Sequence, residues 1–290
     1  MSENGTRRVF LRSAALGGLA AGLGANAETA RGDTVVGFPV SYPGRDSLAV
    51  NPRKVLLFEC TRKEIRDRLA AGTLTAAIVP TGSTEQHNEH LAMIMDTAAA
   101  LLVSQTAALS LYPRVIVATP VPIGVSPYWM NRKGTLTLRK ETFQSIVYDI
   151  CDSLRTHGFR TILVVNGHGG NAGPLGEKLA EFREKLGVTF DVCSYWDSIP
   201  QERRKEFTES GDVPGHSGEF ETSIALAAFP ERVRFQGVTY DPKALNLTAE
   251  ELKSDQTLFE ESKLASAEKG ERIIAHASNW VAEKLRGMMG

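Results

Sequence analysis

The sequence has few cysteines, no excess charge of either sign and no long apolar run in its body. Three cysteines in 290 residues (Cys60, Cys151 and Cys193) are too few for a disulfide framework or a cysteine-rich zinc site. The 33 Lys and Arg residues nearly balance the 34 Asp and Glu residues, so no strong field favours nucleic acid or an anionic membrane. No apolar run reaches the length of about 18 residues that a transmembrane helix requires. The composition that remains, 42% hydrophobic and 23% charged, is that of an ordinary globular chain, and we expect a soluble protein.

Residues 1–27 have the layout of a secretory signal peptide. A basic start with Arg7 and Arg8 is followed by a short stretch rich in Gly and Ala, and then by the small-residue cleavage site Ala25-Asn26-Ala27. The paired arginines are typical of the twin-arginine export route. We therefore expect this segment to be removed and the mature protein to be periplasmic or secreted, with no membrane anchor. The alternative is a surface helix that happens to begin with arginines.

The rest of the chain predicts one domain. Residues 28–52 are rich in Gly, Pro, Asp and Ser and predict an irregular lead-in to a domain at 53–290. Short apolar runs then alternate with helix-like runs, which predicts an α/β fold with a largely parallel central sheet and helices on both faces. Ligands of such sheets bind beyond the carboxyl ends of the strands. The predicted strands are 55–59, 76–80, 114–119, 161–165 and 188–195; the predicted helices are 61–71, 96–111, 140–156, 172–186, 219–228 and 260–286, with a short piece opened by Thr248 and Glu251 before the last.

The first informative loop follows the predicted strand at 76–80. Within twelve residues it brings together the carboxylates of Glu85 and Asp96 and the imidazoles of His87 and His90. This mixture of oxygen and nitrogen ligands suits Zn, Mn or Fe(II). The alternative is a polar surface loop in which Asp96 only caps the helix that follows.

The second loop, Asn166-Gly-His-Gly-Gly-Asn171, follows the predicted strand at 161–165. Glycines on both sides of His168 allow a sharp turn that leaves the imidazole facing an open site. A competing interpretation is a dinucleotide-binding turn, because Gly167–Ala172 matches the spacing of that fingerprint and Asp191 lies about 20 residues further on. A phosphate-binding turn, however, has no need of a histidine between its glycines.

The third loop begins at His216 and leads into a predicted helix that carries Glu219 and Glu221 near its start. A plain helix start explains the acids, because carboxylates are favourable at a helix N-terminus. It does not explain His216. Four of the six histidines in the chain fall in these three loops, which favours one shared site.

Together, the three loops resemble the creatininase family of metal-dependent amidohydrolases. The matching features are Gly-Ser-Thr-Glu85-Gln-His87-x-x-His90-Leu with Asp96, Asn166-Gly-His168-Gly-Gly-Asn171 and His216-x-Gly-Glu219-x-Glu221-Thr-Ser. The resemblance covers roughly residues 53–286 and implies a single α/β domain, a centre of two divalent ions (Zn, Mn or Fe) and a homohexamer. It also implies that Glu85 and His168 bind one ion, that His87 binds the other and that Asp96 bridges them.

Two departures from the family pattern bear on the site. Creatininase itself binds its second ion with a glutamate at the position of Gly170, and glycine has no side chain to offer. We infer that Glu219 replaces the missing ligand. The usual Gly-Pro after the histidine of the first motif is Asn88-Glu89 here, which puts strict creatininase activity in doubt.

The resemblance implies hydrolysis of a small substrate by a metal-activated water, at a C–N bond of a cyclic amide or formamide-like compound. His216 is the expected proton donor to the leaving nitrogen, and Glu221 is expected to orient or assist it. Ser126, Trp129 and His90 are expected on the substrate side of the site.

Three alternatives remain open at this point. The same two-metal centre could open a lactone or a sugar ring. The turn at Gly167–Ala172 could serve a nicotinamide- or flavin-dependent oxidoreductase. The chain could also be an exported metal- or solute-binding protein without catalytic activity.

Overall fold

A four-stranded parallel sheet lies at the centre of residues 53–290, the part of the chain that the computed structural model describes. The predicted signal peptide at 1–27 and the lead-in at 28–52 fall outside the described residues. The strands lie in the order β2-β1-β3-β4, and every neighbouring pair is parallel. Their bounds are β1 Ala76–Thr81, β2 Val115–Val117, β3 Thr161–Asn166 and β4 Thr189–Ser194.

The two central strands are buried on both faces. β1 and β3 pair along six residues, from Ala76 opposite Thr161 to Thr81 opposite Asn166. Alternate side chains enter different cores: Ile78 packs with residues of the helices that cover one face, and Val79 packs with those that cover the other. The predicted α/β architecture, with a parallel sheet and helices on both faces, is confirmed.

Eight helices surround the sheet within the described residues. The predicted helices at 140–156 and 219–228 have the predicted bounds, and Thr61 with Glu64 forms the predicted capping box. None of the described helices is long and apolar enough to cross a membrane. The helices are α1 Arg62–Ala70, α2 Met95–Ser110, α3 Lys140–Thr156, α4 Gly169–Leu186, α5 Glu219–Ala228, α6 Pro242–Leu245, α7 Ala249–Ser262 and α8 Ala267–Met289.

Two local predictions are wrong. The apolar run at 55–59 makes one parallel bridge, between Leu56 and Val117, and then turns into a short 3-10 helix instead of a strand. The long helix predicted at 260–286 is two helices, α7 and α8. The second one starts anew because the Ser266 hydroxyl accepts the backbone N–H of Lys269, which caps a fresh N-terminus.

α5 and α8 cross in close contact. A Cβ built on Gly270 of α8 would lie 2.0 Å from the backbone oxygen of Ser223 in α5, so only glycine fits there. Gly176 in α4, in contrast, has open space around the same position. Gly270 therefore sets the distance between α5 and α8, whereas Gly176 sets no such distance.

We expect Gly270→Ala to lower the free energy of unfolding by about 1–3 kcal/mol, because overpacking forces α5 and α8 apart. Gly176→Ala is the matched control, and it should raise that free energy by about 0.5–1 kcal/mol through helix propensity alone. Urea denaturation followed by circular dichroism measures both values. Equal effects of the two substitutions would show that the α5–α8 contact does not depend on glycine.

Candidate metal centre

Five side chains from two loops and two helices meet beyond the carboxyl ends of β1 and β3. Glu85 and His87 lie in the loop after β1, Asp96 in the first turn of α2, His168 after β3 and Glu221 in the first turn of α5. Each is at most 4% exposed. The edge of the sheet at which the sequence predicted a site is therefore where these side chains converge.

Asp96 lies between the two histidines of this cluster. Its Oδ1 is 2.9 Å from Nε2 of His87, and its Oδ2 is 2.9 Å from Nδ1 of His168. The residue that precedes α2 is Ile94, and no side chain caps this helix. The interpretation of Asp96 as a simple helix cap is therefore wrong, because both of its oxygens face imidazole nitrogens.

Two sets of ligand atoms share Asp96. Glu85, Asp96 and His168 form one set, and His87, Asp96 and Glu221 form the other, with the atoms of each set within 4.8 Å of one another. Within the first set, Oε1 of Glu85 is 3.4 Å from Nδ1 of His168. Within the second, Oε2 of Glu221 is 3.6 Å from Nε2 of His87. Mixed carboxylate and imidazole ligands of this kind suit Zn and Mn.

The hydrogen bonds of the histidines show that a cation fits between them and the carboxylates. Nδ1 of His87 is 3.1 Å from the backbone oxygen of Glu85, and Nε2 of His168 is 3.2 Å from that of Val125. Because a carbonyl only accepts, these outer nitrogens carry the protons. The inner nitrogens then present lone pairs to carboxylates, an arrangement that repels unless a proton or a metal ion lies between them.

The acid–base properties of the cluster agree with this geometry. Burial alone would lower the pKa of both histidines, but the adjacent carboxylates outweigh it and raise the pKa of His87 and of His168 to about 10. Burial, only partly offset by His87, raises the pKa of Glu221 to about 8. These shifts favour protons between the histidines and the carboxylates, and a metal ion that bound there would displace them.

Asn166 holds the backbone around His168. Its Nδ2 donates to the backbone oxygen of His168 at 2.7 Å and to the Ser194 hydroxyl at 3.1 Å, and its Oδ1 accepts the backbone N–H of His168 at 3.1 Å. The Asn166 amide thus links the end of β3 to the end of β4 and to the turn that leads into α4. This explains why an asparagine opens the motif.

The glycine turn is shaped for close packing, not for a phosphate. A Cβ at Gly167 would lie 2.3 Å from the backbone oxygen of Asp96, so glycine allows α2 to approach β3. Asp191, which a dinucleotide site would need for the ribose, is paired with Arg183 at 2.7 Å and Lys284 at 2.6 Å. The carboxylates beside His168 would also repel a pyrophosphate. The dinucleotide interpretation of Gly167–Ala172 is not supported.

The structure corrects the prediction that Glu219 is a metal ligand. Its carboxylate accepts the backbone N–H groups of Glu209 and Ser210, at 2.9 and 2.7 Å, and pairs with Nζ of Lys269 at 2.5 Å. Residues two apart on a helix point about 200° away from each other. Since Glu221 faces the histidines, Glu219 faces away from them and anchors the loop that precedes α5. The carboxylate of Glu221 lies 3.6 Å from Nε2 of His87 and accepts the backbone N–H of Ser217 at 2.6 Å, and its expected role in orienting or assisting His216 stays a prediction.

Two of the three residues predicted on the substrate side lie elsewhere. His90 is buried against Phe235 and Phe259, and its Nε2 lies 3.0 Å from the Thr222 hydroxyl. Ser126 is fully buried, with its hydroxyl 3.1 Å from Nε2 of His168, so it contacts the outer nitrogen of that ring. Neither lines the cavity over the cluster, and these two predictions are wrong.

A cavity of about 150 Å³ opens over the five-residue cluster. Trp129, the third predicted residue, lines it and stacks on His216 with the ring centres 4.8 Å apart. Tyr128, Trp196 and Pro214 complete the walls. Sequence analysis assigned no role to these three, although Tyr128 adjoins Trp129 and Trp196 lies just beyond the end of β4.

Comparison with known proteins agrees with the geometry of the site. The model of the family described as "Creatininase: Creatinine amidohydrolase" matches residues 58–285. The chain belongs to the creatininase family. The creatinine amidohydrolase of Pseudomonas putida is 29% identical over 259 residues, which cover 81% of this chain and 97% of that protein. The mycofactocin precursor peptide peptidase of Mycolicibacterium smegmatis is 27% identical over 222 residues, 72% of this chain and 83% of that one.

Solved structures of this family have the same fold. A structure titled "Creatininase Mn" has a TM-score of 0.68 at 27% identity, covering 81% of this chain and 98% of its own. A mutant creatininase of "Zn-Zn type" has a TM-score of 0.67 with the same identity and coverage. The predicted family resemblance is confirmed, and with it the assignment of the chain to a family of hydrolases.

Glu219 and Glu221 offer a matched pair for testing the ligand assignment. We expect Glu221→Gln to lower the metal content of the purified protein, because an amide is a weaker ligand than a carboxylate at this position. Glu219→Gln should leave the metal content unchanged and lower the melting temperature, because Lys269 loses its buried partner. Elemental analysis and thermal denaturation of both variants measure these effects. Metal loss in Glu219→Gln with full metal in Glu221→Gln would reverse the assignment.

Proposed function

We propose that this protein is a two-metal amidohydrolase that cleaves a C–N bond other than a peptide bond in a small substrate. The observation that carries the proposal is the position of Asp96, whose two oxygens face two separate sets of ligand atoms. Relatives named "Creatinine amidohydrolase" and "Mycofactocin precursor peptide peptidase" support cleavage of a C–N bond. Relatives solved as "Creatininase Mn" and "Zn-Zn type" support manganese or zinc as the metal.

The five converging side chains divide between the two ions. Glu85 and His168 would hold one ion, His87 and Glu221 the other, and Asp96 would contact both. When bound, two such ions would provide a water of lowered pKa and a Lewis acid for the substrate carbonyl. The hydrogen bonds from His87 and His168 to backbone carbonyls hold the rings in place for this purpose.

The cavity favours a small and flat substrate. Its volume of about 150 Å³ is that of about five water molecules. Tyr128, Trp129 and Trp196 provide aromatic walls against which a planar ring can stack. Among the described residues, those that line the cavity include neither Lys nor Arg. A cyclic amide or a formamide fits these properties better than an extended peptide or a sugar acid.

His216 is the residue we assign to the leaving group. It lines the cavity, and its Nδ1 lies 3.7 Å from Oε1 of Glu85, at the border between the ligand cluster and the open space. A substrate whose carbonyl lies over the cluster would bring its nitrogen towards this ring. A hydrogen bond from His216 to that nitrogen would assist cleavage of the C–N bond.

Metal-loaded protein should hydrolyse at least one member of a panel of cyclic amides and formamides, with lactones and short peptides as competitors. Treatment with a chelator should abolish turnover, and added Zn or Mn should restore it. Asp96→Asn should lose metal and on the order of 10³-fold or more in kcat/KM, because two cations would face each other without their shared carboxylate.

The control for Asp96→Asn is Asp191→Asn, which removes an ion-paired carboxylate far from the cluster. It should keep both metal and turnover. If the protein hydrolysed lactones only, the bond that it cleaves would be C–O and not C–N. A wild-type protein that binds metal and turns over no substrate would favour a binding protein over an enzyme.

We further propose that the protein acts outside the cytoplasm and as a homo-oligomer. The support for export is the Arg7-Arg8 signal followed by Ala25-Asn26-Ala27. The support for assembly is the family resemblance, together with exposed apolar side chains such as Met130 (53%) and Leu136 (48%).

Changing both Arg7 and Arg8 to lysine should trap the precursor in the cytoplasm, because the export receptor reads the arginine pair. Fractionation of cells and immunoblotting for the precursor and the mature form measure this. Lys54→Arg, a change of basic residue outside the signal, is the control and should be exported. Unchanged export of the double lysine variant would contradict the twin-arginine proposal.

A further inference from the structure

Gln86 stands between the ligands Glu85 and His87 in sequence, but its side chain contacts His216. It is 8% exposed. Its Oε1 accepts the backbone N–H of Asn88 at 2.8 Å, and its Nε2 lies 2.8 Å from Nε2 of His216. Because a backbone N–H can only donate, the atom that faces it is the amide oxygen. The amide nitrogen of Gln86 therefore faces the imidazole.

This orientation determines which nitrogen of His216 carries the proton. An amide nitrogen only donates, so Nε2 of His216 is the acceptor and carries no proton. The ring proton then resides on Nδ1, which lies 3.7 Å from Oε1 of Glu85. The ring stacks on Trp129 at an interplanar angle of 25°, which keeps its plane in place.

The backbone that orients Gln86 is itself held from outside the loop. Asn88 has a left-handed conformation, with φ at 57°. Its Nδ2 donates to the backbone oxygen of Asp255 in α7 at 2.6 Å, and its Oδ1 accepts the Tyr240 hydroxyl at 2.6 Å. Asparagine tolerates this conformation better than most residues, which explains how it replaces the glycine usual at this position. A chain of hydrogen bonds therefore runs from α7 through Asn88 and Gln86 to His216.

We propose that Gln86 is a positioning residue that holds His216 in the tautomer with its proton on Nδ1. The inference deepens the proposed function, in which His216 serves the leaving nitrogen. In this tautomer the ring offers its N–H to the substrate as a hydrogen-bond donor and keeps its proton, while the water that is consumed supplies the proton of the leaving group. A neutral imidazole is an effective donor of this kind.

The same tautomer separates His216 from the ligands. Ligand atoms of Glu85, His87 and His216 lie within 4.8 Å of one another and could hold an ion. A ring nitrogen that carries a proton cannot bind a metal. By placing the proton on Nδ1, Gln86 keeps His216 available to the substrate.

The substitution Gln86→Glu tests the proposal, because a carboxylate accepts hydrogen bonds from both sides. It would accept from Asn88 as before and from the ring, and so would move the His216 proton to Nε2. Nitrogen-15 NMR of zinc-loaded, histidine-labelled protein distinguishes protonated from unprotonated ring nitrogens, and the signals lost in His216→Gln assign the ring. We expect the wild type to carry the proton on Nδ1, the variant to exchange the two signals, and kcat to fall on the order of 10²-fold with a smaller change in KM.

The matched control is Gln144→Glu. Gln144 is 5% exposed and donates to the backbone oxygen of Pro174 at 2.8 Å, so the change has a similar cost of burial but should leave the His216 signals unmoved. If Gln86→Glu does not fold, Gln86→Met removes the donor instead and should give a mixture of tautomers. A wild type with its proton on Nε2, or signals unchanged in both Gln86 variants, would overturn the proposal. Since the spectra require no substrate, a failure of amide hydrolysis would reject the proposed function and leave the tautomer result standing.

Discussion

The mutual repulsion of three buried carboxylates is the constraint on which the rest of this site depends. Glu85, Asp96 and Glu221 lie within one cluster in the protein interior, where an unpaired charge is costly. The ion pairs that they form within the described chain are with histidines, and the two central rings are held by backbone carbonyls. The positions for cations are therefore prepared by the fold, whether protons or metal ions occupy them.

The sheet prepares these positions by allowing α2 to approach the strand ends. A Cβ at Gly82, just after β1, would lie 2.5 Å from the backbone of Thr97, and one at Gly167, just after β3, would lie 2.3 Å from the backbone oxygen of Asp96. Because neither position carries a side chain, the first turn of α2 packs against the chain just beyond the ends of both strands. Asp96 thereby reaches the histidine of each loop, and the glycines of the motifs matter for packing and not for ligand contact.

The sequence predicts much of this arrangement but not the choice between two acids on one helix. The predicted parallel sheet and the alternation of strands and helices place Glu85, His87, Asp96 and His168 at one edge. Glu219 and Glu221 both stand in the first turn of α5, and local pattern gives no measure of how that helix is rotated. The rotation follows from tertiary packing, including the contact of α5 with Gly270 of α8, which no local signal reveals. The break between α7 and α8 was not predicted for a related reason. A single serine cap interrupts a run of residues that otherwise has a helical pattern.

The space around Gly170 is closed to any side chain. A Cβ at this position would lie 2.2 Å from the backbone oxygen of Val125 and 2.5 Å from Nε2 of His168, so no side chain fits there. The loop that fills this space carries Tyr128 and Trp129, which form the aromatic wall of the cavity. A glutamate at Gly170 would require this loop to move away, and the wall would move with it. In the proposed centre, Glu221 of α5, whose Oε2 lies 3.6 Å from Nε2 of His87, would supply the carboxylate instead. Under that proposal, the choice of the metal ligand and the shape of the pocket are coupled through the loop that carries Tyr128 and Trp129.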